Sequence, residues 1–133
     1  MVEYVAEKLR AKGIKVCMYD VIKDDLGDIA VGLVDSATIV LGASMVLASP
    51  HPAAANIAYI ANLLNPKAKF ASFIGSYGWG GDLFGKLGNM LSNLKVEVIE
   101  PVMSKGKPNK EDFANLDKMI DSIVEKHKSL GLM

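Results

Sequence analysis

Apolar residues recur along the chain with two alternating periods, one helical and one extended. A helix is predicted over residues 2–12, because apolar residues recur there at every turn and Gly13 supplies a natural stop. Its apolar stripe is Val2, Val5, Ala6 and Leu9. The next segment, Lys15–Val21, alternates apolar and polar residues, so a strand with Cys17 in the core is predicted.

The same alternation continues to the end of the chain. Short apolar, β-branched runs predict buried strands at Thr38–Leu41, Phe70–Ile74 and Val96–Val102. Helices are predicted between them over residues 24–34, 53–64 and 82–91, and a last helix follows Asn109 with a stripe formed by Phe113, Leu116, Ile120, Ile123 and Val124. Regular alternation of helix and strand predicts an α/β fold, a three-layer α/β/α sandwich in which one parallel sheet makes a single domain over residues 1–133.

Composition narrows the function classes. Fifteen basic and fifteen acidic residues give a net charge of zero, which removes the electrostatic case for nucleic acid and favours self-association. A single cysteine excludes an internal disulfide, and with no secretory signal a cytoplasmic location is expected. Two histidines and one cysteine cannot build a dinuclear metal or iron–sulfur centre, and no catalytic triad is recognisable.

Two segments after predicted strands are candidates for ligand binding, because ligands of open parallel sheets bind at the carboxyl ends of the strands. The first, residues 75–81, reads Gly-Ser-Tyr-Gly-Trp-Gly-Gly. Its glycines let the backbone approach a ligand closely, and Tyr77 and Trp79 can stack on a planar ring. The alternative is a glycine-rich turn with Trp79 folded back over the core. The second segment, Ala43–Pro52, offers the hydroxyl and amide of Ser44, or is an ordinary helix-capping loop.

The two histidines have plainer interpretations. His51 precedes a proline at a predicted helix start, where a capping role is expected. His127 lies beyond the last turn of the final apolar stripe, where a hydrogen-bonded or solvated side chain is expected.

The motif at residues 75–81 resembles the flavodoxin-like domain of A-type flavoproteins, the flavodiiron family. Three further segments support the resemblance, residues 39–44, 51–55 and 105–108. It implies that the domain binds FMN. The residues that would contact the flavin are Ser44, Met45, Ser76, Tyr77, Gly78, Trp79 and Gly80.

One departure from the family qualifies this expectation. In that family a strand and a Ser/Thr-rich phosphate-binding loop precede the first helix, whereas here Met1 already lies at the start of that helix. The resemblance therefore implies an N-terminally truncated electron-transfer flavoprotein with impaired FMN phosphate binding and no metal-dependent reductase site. The alternatives are a non-catalytic remnant that folds by self-association without flavin, and a generic ligand-binding α/β domain.

The same departure bears on partners. Without an interior strand, the predicted strands Lys15–Val21 and Thr38–Leu41 would expose unpaired edges, and such edges recruit other chains. We expect a homodimer or higher homo-oligomer and a redox protein as a further partner, with neither nucleic acid nor membrane.

Overall fold

The computed structural model describes residues 1–21, 23–34, 36–46, 49–50, 52–64, 68–77 and 96–131. The helices within these ranges are α1 (Val2–Ala11), α2 (Leu26–Val34), α3 (Pro52–Leu64) and α4 (Lys110–Ser129). The strands are β1 (Thr38–Val46), β2 (Ser49–Pro50), β3 (Phe70–Tyr77), β4 (Glu97–Val98) and β5 (Val102–Lys105). The predicted helix at 82–91, together with His51, Gly78, Trp79 and Gly80, lies outside the described residues.

The sheet is parallel at its centre. Strands β1 and β3 pair in parallel from Thr38 opposite Phe70 to Ser44 opposite Ser76. Both β4 and β5 pair in parallel with β3, at its beginning and at its end respectively. The short β2 pairs antiparallel with the last two residues of β1. The predicted parallel α/β fold is therefore confirmed, with one antiparallel addition at the edge.

Two hydrophobic cores lie on opposite faces of this sheet. Leu41 and Phe73 pack with α2 and α3, whereas Phe70 and Ile74 pack with α1 and α4. Successive residues of a strand point to opposite faces, so the odd positions serve one core and the even positions the other. The chain accordingly forms the predicted three layers.

Helix α4 packs against the sheet through a row of buried residues. Asn109 and Asp112 form a capping box at its start, in which each side chain accepts a hydrogen bond from the other residue's backbone N–H. Its buried residues are Leu116, Met119, Ile120, Ile123 and His127. The predicted stripe is confirmed and reaches one turn further than expected, because His127 continues it.

The prediction of a strand over Lys15–Val21 is wrong. Residues 14–20 have no regular secondary structure, although Ile14 and Val16 pack on one core and Val21 on the other. Residues 17–20 are exposed, so the burial does not alternate as in a strand, and no described strand pairs with this segment to form the ladder of hydrogen bonds that a strand needs. Cys17, expected in the core, is exposed.

The remaining strand boundaries also differ from prediction. β1 and β3 continue past Gly42 and Gly75, because the ladder between them runs on through both glycines. The predicted strand Val96–Val102 is split into β4 and β5. Pro101 lies in the gap and has no N–H to give to a ladder, which accounts for the break.

Candidate functional site

The carboxyl ends of three parallel strands lie at one level of the sheet. Ser44 of β1 is opposite Ser76 of β3, and Ser76 is opposite Ser104 of β5. Neighbouring strands are about 4.8 Å apart, so this row of three serines spans about 10 Å. Since ligands of open parallel sheets bind at this edge, the row marks the candidate site.

The predicted site residues lie at this edge, but as strand residues rather than loop residues. Ser44 and Met45 belong to β1, and Ser76 and Tyr77 belong to β3. Their backbone groups are partly committed to the ladder, because register pairing continues through all four positions. The structure brings the two segments together as neighbours, while their role in binding remains a prediction. Gly78, Trp79 and Gly80 follow directly in the chain, outside the described residues.

Ser104 belongs to the same row, and sequence reasoning missed it by starting a loop there. Its side chain is fully buried, and its hydroxyl donates to the carbonyl of Gly106 at 3.0 Å. Gly106 has a φ of 71°, a backbone angle that favours glycine and turns the chain away from β5. Ser104 therefore fixes the turn beside the site. The alternation of Val102 and Ser104 with Met103 and Lys105 was the available signal.

Positive charge borders this edge. Among residues 44–46, 75–77 and 103–107, the ionised side chains are Lys105 and Lys107, and both residues are exposed. Lys105 is opposite Tyr77 in the β3–β5 register. A cationic rim beside aromatic and glycine residues suits a planar ligand that carries or gains negative charge.

The start of α1 lies beside β1 at Gly42, two residues before Ser44. A Cβ added at Gly42 would come within 2.5 Å of Val2 Cγ2, so the helix approaches the strand closely at this point. The first turn of α1 contains Glu3, and Met1 provides no side-chain cap. Helix N-termini attract anions, but a carboxylate in the first turn opposes a second negative charge there.

His127 lies at the opposite end of the sheet. Its Nε2 is 2.6 Å from Thr38 Oγ1 at the beginning of β1, and its ring stacks on Phe70. Burial lowers the pKa of His127, since a charged ring would lose solvation there. Six residues of strand, about 20 Å, separate Thr38 from Ser44, so His127 contributes to packing and not to the site.

Within the described ranges, no group of three or more His, Cys, Asp or Glu residues could hold a metal ion. Nor does any described helix have the length and apolar character needed to cross a membrane.

Comparison with known proteins shows the fold. The chain superimposes on rubredoxin oxygen:oxidoreductase from Desulfovibrio gigas with a TM-score of 0.86 and 23% identity, covering 94% of this chain and 31% of that one. The Flv1 flavodiiron core from Synechocystis matches with a TM-score of 0.84 and 16% identity, over 95% of this chain and 32% of that one. A flavodoxin from the domain Archaea matches with a TM-score of 0.74 and 21% identity, over 95% of this chain and 87% of that one.

These matches establish a flavodoxin-like fold and confirm, at the level of fold, the resemblance seen in residues 75–81. The chain spans about a third of the flavodiiron chains and most of the flavodoxin. No model of a known protein family matches the sequence, and no curated protein sequence matches it.

Proposed function

We propose that this chain is an FMN-binding electron-transfer module of the A-type flavoprotein type. One observation carries the proposal: in a flavodoxin-like fold, the carboxyl ends of β1 and β3 are in register at Ser44 and Ser76. The aromatic and glycine residues 77–81 follow directly from that edge.

The chemistry of this edge fits the flavin ring. Bound flavin supplies one- and two-electron transfer, and the protein supplies binding, orientation and exclusion of water. The glycines of residues 75–81 allow close approach of the backbone, and Tyr77 and Trp79 are residue types that stack on planar rings. The ammonium groups of Lys105 and Lys107 would favour a ring that gains negative charge on reduction.

A variant pair tests the ring site. Trp79→Ala should weaken FMN binding by about 1–3 kcal/mol, the usual effect of removing an aromatic stacking partner. Tyr59→Ala is the matched control, because Tyr59 is an exposed aromatic residue on α3 (59% exposed) and not on the strand edge. Quenching of flavin fluorescence on titration with protein measures both affinities. Unchanged affinity in Trp79→Ala would remove that residue from the site.

We propose that these 133 residues hold the FMN phosphate weakly, whether or not they belong to a longer protein. The start of α1, which lies against β1 at Gly42, carries Glu3, whose charge opposes a phosphate. The start of α4 is already capped by Asn109 and Asp112. We therefore expect FMN and riboflavin to bind within about fivefold of each other, because phosphate contacts would otherwise add several charge-assisted hydrogen bonds.

The titration with the two flavins separates the alternatives. Glu3→Gln should raise the affinity for FMN by about threefold and leave riboflavin unchanged. FMN binding about 100-fold tighter than riboflavin would contradict weak phosphate binding. Binding of neither flavin would favour the other function considered, a non-catalytic remnant of the fold.

We further propose that the chain forms a homodimer or higher oligomer, exchanges electrons with a redox protein partner and works in the cytoplasm. Zero net charge and exposed apolar side chains on α2 and α3, among them Val31 and Tyr59, support self-association. Light scattering on the purified chain at tens of micromolar tests the proposed oligomer, and a monodisperse monomer would contradict self-association.

A further inference from the structure

The helices on the two faces of the sheet differ in charge. On one face, α1 carries four charged residues and α4 carries nine. On the other face, α2 carries one charged residue, Asp28, and α3 carries none. The solvated surface of a small domain is about 25–35% charged, whereas the centre of a protein interface is depleted of charge. The outer surface of α2 and α3 therefore has the composition of an interface.

Large apolar side chains are exposed on this surface, which we call the α2–α3 face. Val31 is 72% exposed and Val34 is 40% exposed on α2, and Tyr59 is 59% exposed on α3. The buried residues of α2 are Ile29 and Leu33, on its inner side. A helix with apolar side chains on its outer side as well as its inner side is typical of a helix that is covered on both. The α2–α3 face thus suits a partner surface that is also apolar and uncharged.

The outer side of α2 is complementary to itself. Gly27 and Val31 are four residues apart, so they lie one turn apart on the same side of the helix. The nearest atom that a Cβ added at Gly27 would meet is Asp25 Oδ1, at 3.0 Å, at the end of a side chain that can move. Val31 projects beside this gap. When two α2 helices cross antiparallel with residue 29 at the centre, each Val31 lies opposite the Gly27 gap of the other copy.

From this complementarity we propose that the α2–α3 face binds the same face of a second copy of the chain, with Val31 of each copy packed at Gly27 of the other. The same two-fold axis brings the two α3 helices together, and α3 has no charged residue to oppose that contact. Asp28 lies at the rim, because Gly32, one turn further along the same side of α2, is covered by Tyr19. The inference rests on the proposed self-association and is independent of flavin binding.

The size of the α2–α3 face sets the expected affinity. The 13 residues of α3 span about 20 Å, and two adjacent helices are together about 20 Å wide. Contact across the whole face covers about 400 Å² per copy, half of a standard interface of about 800 Å² per partner. Interfaces of this size belong to weak, transient complexes. We therefore expect a dimer that dissociates in the micromolar range.

Sedimentation equilibrium of the full chain and its variants tests the contact. Val31→Lys places an ammonium group at the centre of the contact without a partner, and should weaken association by more than about tenfold. Val98→Lys is the matched control, because Val98 is also an exposed valine (53% exposed) but lies on β4, outside the α2–α3 face. The control should associate as the unchanged chain does.

Gly27→Leu separates the specific fit from general apolar attraction. Leucine adds apolar surface and favours a helix more than glycine does, so general attraction would strengthen association. In the proposed contact, leucine fills the gap that receives Val31, and association should weaken by about tenfold, as overpacking predicts. Thermal melts check that each variant remains folded.

Each contrary outcome has a distinct meaning. A chain that stays monomeric up to about 200 µM would contradict self-association, and this contact with it. A dimer that persists unchanged in Val31→Lys would leave self-association standing and overturn the α2–α3 face as its site. Equal losses in Val31→Lys and Val98→Lys would overturn the inference as well. So would stronger association in Gly27→Leu, because general apolar attraction would then account for the dimer.

Discussion

Helices α1 and α4 pack against the same face of the sheet, but the extended segments attached to them differ. α4 follows β5, which pairs with β3 over four residues. α1 leads into residues 14–20, which have no ladder among the described strands. Both segments contribute apolar side chains to the same core, Val102 in one case and Val16 in the other. Both regions thus contribute apolar side chains to the core, but among the described strands only β5 adds hydrogen-bonded pairing.

The difference shows what a strand needs beyond its sequence pattern. Side-chain alternation places a segment in the sheet layer, but the segment becomes a strand only when a neighbour accepts and donates backbone hydrogen bonds. A region without such pairing opens locally at lower free energy. We therefore expect the region of α4 and β5 to be the more stable part of the domain and the region of α1 to open locally at lower free energy.

The largest expected effect is a difference between two leucine truncations. Leu116 of α4 is 0% exposed and Leu9 of α1 is 5% exposed, so both are core residues of the same cluster. Leu116→Ala should cost about 4 kcal/mol of unfolding free energy, and Leu9→Ala about 2 kcal/mol, because the unpaired segment beside α1 can collapse into the cavity. Urea unfolding followed by circular dichroism measures both values, and equal costs would remove the contrast between the two regions.

A smaller loss of unfolding free energy is expected from a change at the start of α4. Asn109→Ala removes the side chain that accepts from the Asp112 N–H at 2.9 Å, and should cost about 1 kcal/mol. Asn109→Ser is the control, since serine caps about as well. The same unfolding assay applies. A negligible loss in the alanine variant would show that the capping box does not contribute to the stability of this region.

The smallest expected change in stability comes from the titration of His127 with pH. The pKa of His127 is lowered by burial in the folded chain, so the unfolded chain binds the proton more readily. Stability should therefore be unaffected by this group above its ordinary pKa of about 6.5 and should fall as the pH drops below that value. His127→Gln should reduce this loss in melts compared at pH 7.5 and 5.5. His51→Gln is the control, and an equal reduction in both variants would contradict the assignment to His127.

The four described helices and the two central strands were predictable because their periodicity is strong, whereas the helix predicted at 82–91 lies outside the described residues. The stripes of α1 and α4 read directly from the sequence, and Thr38–Leu41 and Phe70–Ile74 lie inside the observed strands. Strand ends were not predictable, because Gly42 and Gly75 look like stops while the ladder continues through them. The strand prediction for Lys15–Val21 was wrong for a different reason, because pairing depends on a neighbouring strand that the segment's own sequence does not reveal.

The candidate site was predictable in part. Ser44 and Ser76 lie side by side as the placement of both segments after parallel strands implies. Ser104 was missed because a serine followed by Lys-Gly-Lys-Pro reads as a loop, whereas pairing with β3 extends the strand through it. Its burial follows from tertiary packing, which local pattern does not report.

The most direct test of the proposed function is a titration of the isotope-labelled chain with FMN, followed by backbone amide NMR shifts. We predict saturable shifts that concentrate at the carboxyl edge, residues 44–46, 75–77 and 103–107. Amides around Thr38 and His127, about 20 Å away along the strand, should shift little. Absence of saturable shifts, or shifts centred on the opposite end of the sheet, would contradict an FMN site at this edge.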